Sequence, residues 1–333
     1  MLSIEQQYLS YAKLIENDGA TKPVNGEEHL TVRSIVGAML NHNFKDGFPI
    51  YSSKRVWWKG AIGEMLWFLG GEGNISALRA MGIKIWDNWA FKAEANKAKL
   101  EKHNKLLADA DKFTEQAYLE AFDCLLDPLP LHYTNMTSWQ DSAIDQTDWV
   151  LTQLPIKPFR KSYLVSCWDP STVYHMADMP VMAYYDEKRS PVVLPACHFA
   201  HQLLCNSKNR LSMVVYIRSN DWFLGNPFNV AQYGALLEMY CLCLSNRTGE
   251  AWQPDELVLQ IGDAHIYSNH GEAFAEMFEQ SEVLCNGNVG KAKLNIANRG
   301  QVNLQQFELS DFSMENYLPE GTIKAGLHTA GGF

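Results

Sequence analysis

The sequence predicts a mixed protein of the α+β class, and three observations carry that reading. Leu211, Met213, Val215 and Ile217 alternate with Ser212, Val214, Tyr216 and Arg218, the period of two that a strand requires. Trp58, Ala61, Met65, Leu66 and Leu69 recur at helical spacing. Gly- and Pro-containing turns, such as 46–49 and 225–227, separate the two kinds of segment.

In chain order, residues 4–16 read as a short helix and 34–44 as mixed. Asp46-Gly47-Phe48-Pro49 is a turn. Residues 57–69 form a helix that sets Glu64 beside its apolar stripe, and Gly70-Gly71 end it. Residues 92–125, rich in Ala, Lys, Glu and Leu, suit an exposed helix. Residues 163–168 make a short apolar run, and an irregular excursion at about 171–190 lies between two strands. After strand 211–218, Gly225-Asn226-Pro227 breaks the chain. Residues 230–244 then form a helix with Asn229 as its N-cap. Strand 257–261 ends in Gly262-Asp263, and His265 and Tyr267 alternate on one face beyond it. With no repeat and no long linker, residues 1–333 read as one domain, with a helical insertion at about 92–145.

The 333 residues are 47% hydrophobic, enough for a sizeable core. Net charge is −10, from 28 basic and 38 acidic residues, which disfavours a nucleic-acid partner but not a small anionic substrate. Seven Cys without paired spacing suggest reduced thiols in a cytoplasmic setting. The start shows no export pattern, and no apolar run is long enough to span a membrane. Cys241 and Cys243 suit helix packing better than zinc, so no metal is expected.

The residues that can carry chemistry cluster around two runs, 194–198 and 218–229. The Cys197 thiol can add to an electron-poor carbon, and Arg218 can lower its pKa and grip a phosphate. A lone Cys is otherwise a structural one. A Cys–His pair of hydrolase type is disfavoured, because extended backbone sends Cys197 and His198 to opposite faces. Asn229 can pair with the N–H and carbonyl of uracil, or simply cap a helix. Glu64, beside an apolar face, can relay protons or sit solvated on its helix. His265 and Tyr267 can grip a sugar hydroxyl or pack at the core edge. Trp86 and Trp89 offer stacking surfaces or core.

Four blocks in order resemble thymidylate synthase and its relatives, the pyrimidine nucleotide hydroxymethylases. They are 46–49 with Ser53-Lys54-Arg55, 63–69 through Trp89, 194–198 with 218–233, and 262–270. The resemblance implies the thymidylate synthase fold, a large mixed sheet flanked by helices and packed across a homodimer. It implies Cys197 addition to carbon 6 of a pyrimidine deoxynucleoside monophosphate, with 5,10-methylenetetrahydrofolate as co-substrate. Arg218 and Ser219 would hold the phosphate, helped by Arg160 and Lys161 of the other subunit. Asn229 would read uracil, His265 and Tyr267 the deoxyribose 3′-hydroxyl, and Glu64 would organise proton transfer. Trp86, Trp89, Asp221 and Gly225 would contact folate.

The chain also departs from the family's pattern. Gly26-Glu27-Glu28-His29 stands where a synthase has an arginine loop, and Arg33 is out of register. Leu131 to Trp139 replaces a tyrosine motif, with Tyr133 the candidate; Ile217 stands where Gln is usual, and Asn226 replaces an apolar neighbour of the folate pocket. The tail after Ile323 is longer than a synthase's. A water-admitting site is the expected result. That favours a deoxyuridylate hydroxymethylase, as in viruses with modified thymine, over a synthase, a deoxycytidylate hydroxymethylase or a silent scaffold.

Overall fold

The computed structural model describes residues 2–24, 27–107, 112–173, 192–285 and 291–326. Helix α1 (Ile4–Asp18) starts at a capping box. The Ser3 hydroxyl accepts the Gln6 N–H, and the Gln6 side chain accepts the Ser3 N–H. Ile4, Tyr8, Ala12 and Ile15 form its buried stripe. Strands β1 (Ala20–Val24) and β2 (Glu27–Asn43) pair antiparallel. The stretch 34–44, read as mixed, therefore belongs mainly to a 17-residue strand. Its period-two signal is blurred because Gly37 interrupts it and Val36 is 89% exposed while Ala38 and Leu40 are buried. Beyond β2 the chain turns at Gly47, whose φ of 97° suits glycine.

Helix α2 (Trp58–Leu69) agrees with the predicted helix and ends at Gly70. Helices α3 (Ile75–Ala80), α4 (Glu94–Leu106), α5 (Glu115–Phe122) and α6 (Gln146–Gln153) follow. The 92–145 segment holds α4 and α5, then a short 3-10 turn, His132–Met136, that returns to the core. Most of the expected excursion at 171–190 falls outside the described residues.

Among the described residues, six strands form one sheet in the order β1-β2-β6-β5-β4-β3, adding β3 (Leu164–Ser166), β4 (His198–Ser207), β5 (Arg210–Asp221) and β6 (Gln253–Tyr267). All neighbours are antiparallel except β5 and β6, which run parallel. Helix α7 (Gly225–Thr248) joins them as a crossover. It packs on β5 and β6, whose inward residues Leu211, Met213, Val215, Ile217, Leu257 and Leu259 are buried. Helix α2 packs on α7. Helix α8 (Gly271–Cys285) and a hairpin of β7 (Lys293–Ile296) and β8 (Phe312–Glu315) complete the described chain.

Two sequence expectations are corrected here. The 225–227 run does not separate strand from helix; it is the first turn of α7. Pro is tolerated there because the first-turn N–H groups have no partner within the helix. Asn229 is consequently inside α7 and is not its N-cap; the turn before the helix is closed by Asp221, whose Oδ1 accepts the N–H groups of Phe223 and Leu224.

The parallel pairing sets Ser219 beside Asp263 and Asp221 beside His265, while antiparallel β4 begins beside Ile217. One end of the sheet thus collects Cys197, Arg218, Ser219, Asp221, His265 and Tyr267. Glycine at 262 permits that approach, since a Cβ there would lie 2.9 Å from the Arg218 carbonyl oxygen. Gly262→Ala is expected to destabilise the protein by about 1–3 kcal/mol, as overpacking does, and to weaken nucleotide binding. Denaturant unfolding and calorimetric titration check both.

Candidate active site

Cys197 sits one residue ahead of β4, and its carbonyl accepts the Arg218 N–H at 2.7 Å. The 3-10 turn at 132–136 holds the same peptide from the other side. His132 Nδ1 accepts the Ala196 N–H at 3.2 Å, and the Tyr133 hydroxyl accepts the Cys197 N–H at 2.9 Å. His132 Nε2 lies 3.1 Å from the Asp169 carbonyl, so it carries the proton and leaves Nδ1 free to accept. The Tyr133 ring is stacked between Phe68 and His198, at 4.2 and 4.4 Å. His132 was not a candidate from sequence; a lone buried His beside a Tyr gives no pattern to read.

The guanidinium of exposed Arg218 lies 3.4 and 3.3 Å from the carbonyls of Ala196 and Pro195 and 5.9 Å from the Trp168 ring centre. The expected lowering of the Cys197 pKa is overturned. Burial raises the thiol, and this outweighs the opposing pull of Arg218. His198 bonds the Tyr233 hydroxyl at 2.8 Å and is pushed down to about 3 by burial, so it is a neutral packing group and no base for the thiol.

Glu64, from α2, is gripped by two donors. Trp86 Nε1 donates to Oε1 at 2.6 Å, and Gln232 Nε2 donates to Oε2 at 2.5 Å. Burial pushes its carboxyl up to about 7, against the pull of both bonds. Asn229 stands one step further along α7 and donates to Gln232 Oε1 at 3.1 Å while accepting from Asn220 at 2.9 Å. Asn226, expected beside the folate pocket, is fully buried; it donates to Asn220 at 2.8 Å and accepts from Tyr51 at 2.7 Å. The idea that Asn226 itself admits water is therefore withdrawn. Gln232 and Asn220 were missed, although 226, 229 and 232 are amides three residues apart in an apolar helix, a legible stripe once the helix starts at Gly225.

Around the mouth, His265 Nδ1 donates to Asp263 Oδ2 at 2.9 Å and Lys22 donates to Oδ1 at 3.1 Å. The His265 bond, with help from Lys22, holds the Asp263 carboxyl at about 2. Tyr267 packs edge-on against His265, at 5.3 Å between ring centres. The Asp221 side chain keeps 17% exposure, and a Cβ at Gly225 would approach its Cβ only to 3.5 Å. Trp86 and Trp89 are 5% and 6% exposed, and the Lys92 ammonium lies 3.6 Å from the Trp89 ring centre. They form a wall behind Glu64 more than an open platform.

Three basic residues lie away from this cluster. Arg160 and Lys161 precede β3, whose Leu164 pairs with Gln202, five residues along β4 from Cys197 and so roughly 16 Å away. Arg33 donates to the Glu16 carbonyl at the end of α1. A cleft of about 670 Å³ lies elsewhere, between α1, the His42 end of β2 and Lys291; no cysteine lines it, and the site is placed by its chemistry instead. Among the described residues no group of three or more His, Cys, Asp or Glu could hold a metal, and no helix is long and apolar enough to cross a membrane.

A raised carboxyl pKa has a definite sign. Glu64 favours the folded state below its ordinary value of 4.5, and that contribution is lost as pH rises to about 7. Stability of the wild-type protein should therefore fall across this window relative to Glu64→Gln. A limb near pH 7 in kcat/KM should also vanish in the variant. Parallel melting and rate profiles check this; identical profiles would remove Glu64 from both roles.

The family model described as thymidylate synthase matches residues 6–329. The thymidylate synthase of Phytoplasma mali (strain AT) is 29% identical over 320 residues, covering 96% of this chain and 98% of that protein. The thymidylate synthase of Oenococcus oeni (strain ATCC BAA-331 / PSU-1) is 29% identical over 343 aligned positions, again covering 96% and 98%. With a family match over nearly its whole length, the chain belongs to the thymidylate synthase family of one-carbon transferases, which use methylenetetrahydrofolate as co-substrate.

Proposed function

We propose that this protein transfers a one-carbon unit to carbon 5 of dUMP and completes the reaction with water, giving 5-hydroxymethyl-dUMP and tetrahydrofolate. The observation that carries the water step is Glu64, held by Trp86 and Gln232 with its carboxyl pushed up to about 7. Hydride transfer favours a dry, closed site, whereas a carboxyl poised at about pH 7 suits water activation and proton relay.

In this reading the Cys197 sulfur bonds carbon 6, and the ring's double-bond pair moves to carbon 5. Methylenetetrahydrofolate supplies the one-carbon unit that carbon 5 takes up. Carbon 5 then loses its proton, tetrahydrofolate departs, water adds to the exocyclic methylene, and Cys197 leaves carbon 6. Arg218 and Ser219 hold the phosphate, His265 and Tyr267 the 3′-hydroxyl, and Tyr133 and His132 fix the peptide that carries the thiol. Asp221 and Gly225 border the folate.

A second reading, methyl transfer to give dTMP, is favoured by the chain's end. His270 Nε2 donates to the Gly326 carbonyl at 2.9 Å, and His270 packs against Tyr267, so the tail runs beside the site where it can exclude water. Incubation with dUMP and methylenetetrahydrofolate should yield hydroxymethyl product by mass spectrometry, without the absorbance rise of dihydrofolate. Methyl product with dihydrofolate would sink the water step.

The working unit in this proposal is a homodimer. The sheet face turned away from α7 carries partly exposed Leu204, Val214, Tyr216 and Val258, with Leu164 and Met39 at 46% and 48% exposure. A second copy laid on that face covers it and brings Arg160 and Lys161 toward the neighbour's Arg218. Mixing an inactive Arg160→Ala/Lys161→Ala protein with an inactive Cys197→Ser protein should restore activity, since each hybrid has one intact site. Mixtures that exchange subunits yet stay inactive would place each site within one chain.

A further inference from the structure

Tyr51, Asn226, Asn220, Asn229, Gln232 and Glu64 form one unbroken hydrogen-bonded chain, from Tyr51 Oη to Asn226 Oδ1, Asn226 Nδ2 to Asn220 Oδ1, Asn220 Nδ2 to Asn229 Oδ1, Asn229 Nδ2 to Gln232 Oε1, and Gln232 Nε2 to Glu64 Oε2. Every donor points toward Glu64. The direction follows from the two groups at that end. Trp86 Nε1 can only donate, and it occupies Oε1. In its ionised form, above about pH 7, the carboxylate can only accept, so Gln232 presents Nε2 to Oε2. Its Oε1 is left to accept, which makes Asn229 present Nδ2 to Gln232 and Oδ1 to Asn220. Each amide is set by the one before, and the chain ends at Tyr51, a hydroxyl able to donate or accept.

A primary amide flipped about its last bond fills the same space with oxygen and nitrogen exchanged, so packing alone does not choose between the two states. Asn220, Asn226 and Gln232 are at most 2% exposed, which keeps competing water away. We propose that this chain, anchored at Glu64, locks the Asn229 amide in one flip state, making Gln232 a positioning residue for base choice. The inference rests on the reading that Asn229 faces the pyrimidine. After its two chain bonds, Asn229 keeps one lone pair on Oδ1 and one hydrogen on Nδ2 for a ligand. Uracil presents a donor at N3 beside an acceptor at position 4, and cytosine presents the reverse. One flip state fits each base.

Equilibrium binding of dUMP and of dCMP to the full-length protein, by titration calorimetry, tests this without catalysis. Gln232→Met cuts the chain between Glu64 and Asn229 and should reduce the wild-type preference by about tenfold or more, as loss of polar recognition does. Glu64→Gln goes further. Trp86 still donates to the side-chain oxygen, so the new amide nitrogen faces Gln232 and reverses every bond as far as Tyr51. The base preference should then invert. Tyr51→Phe lies beyond the lock and should leave the preference within about threefold, with thermal melting confirming that each variant folds. Unchanged preference in Gln232→Met and Glu64→Gln overturns the proposal, as does an equal collapse in Tyr51→Phe, which marks general loosening. A wild-type protein that prefers dCMP refutes dUMP as the substrate, while the variants still judge the lock. A wild-type protein with no preference overturns both.

Discussion

The site depends on the 2.7 Å hydrogen bond from the Arg218 N–H to the Cys197 carbonyl. It fixes the last rung between β4 and β5 before β4 gives way to the loop that carries Cys197. β5 also pairs with β6 in parallel, which brings a third strand to the same end of the sheet. Asp221 then meets His265, and Ser219 meets Asp263. A one-residue slip would send every side chain on β5 to the other face, turning Arg218 under α7 and exposing Ile217. The glycine at 262 is part of the same constraint, since a side chain there would press on the Arg218 carbonyl.

That rung explains why the turn at 132–136 is as much part of the site as the strands are. The N–H groups of Ala196 and Cys197 lie outside the sheet ladder, and buried donors without partners are costly, by about 1–3 kcal/mol each. His132 and Tyr133 supply both acceptors. The segment read as an insertion at about 92–145 therefore holds, beside the candidate Tyr133, a second residue bonded to the Cys197 loop, His132. Its early part, α4 and α5, packs on its own account through Asn96, whose amide joins the Ala90 carbonyl to Asp127.

What was legible in the sequence was what repeats. The alternation at 211–218 and the helical stripe at 57–69 each report one buried face, and both elements stand where they were read. β2 was obscured because it buries one face while Val36 and Met39 leave apolar groups exposed on it, which flattens the contrast that periodicity measures. The start of α7 was obscured by Gly225 and Pro227, residues that punctuate chains elsewhere yet fit a helix's first turn. That single misplaced boundary hid the amide stripe, since Asn226 and Asn229 were left outside the helix that aligns them with Gln232. Tyr51 and Asn220 come from other elements, and only the fold brings them into line.

The raised pKa of Cys197 also bears on how the thiol reacts. If Arg218 alone made a standing thiolate, a bound phosphate dianion would cancel much of that stabilisation at the moment of need. Here burial already holds the thiol neutral. Under the proposed chemistry, negative charge develops only as sulfur bonds to carbon 6, and it moves through the ring to the carbonyl at position 4. The group that the same reading sets there is Asn229, whose amide is bonded to Gln232 and, through it, to Glu64. Stabilisation aimed at where charge arrives, and not at where it starts, lowers the barrier without stabilising the resting state. A protonated thiol and a fixed amide are thus two halves of one arrangement, joined through the buried chain that ends at Glu64.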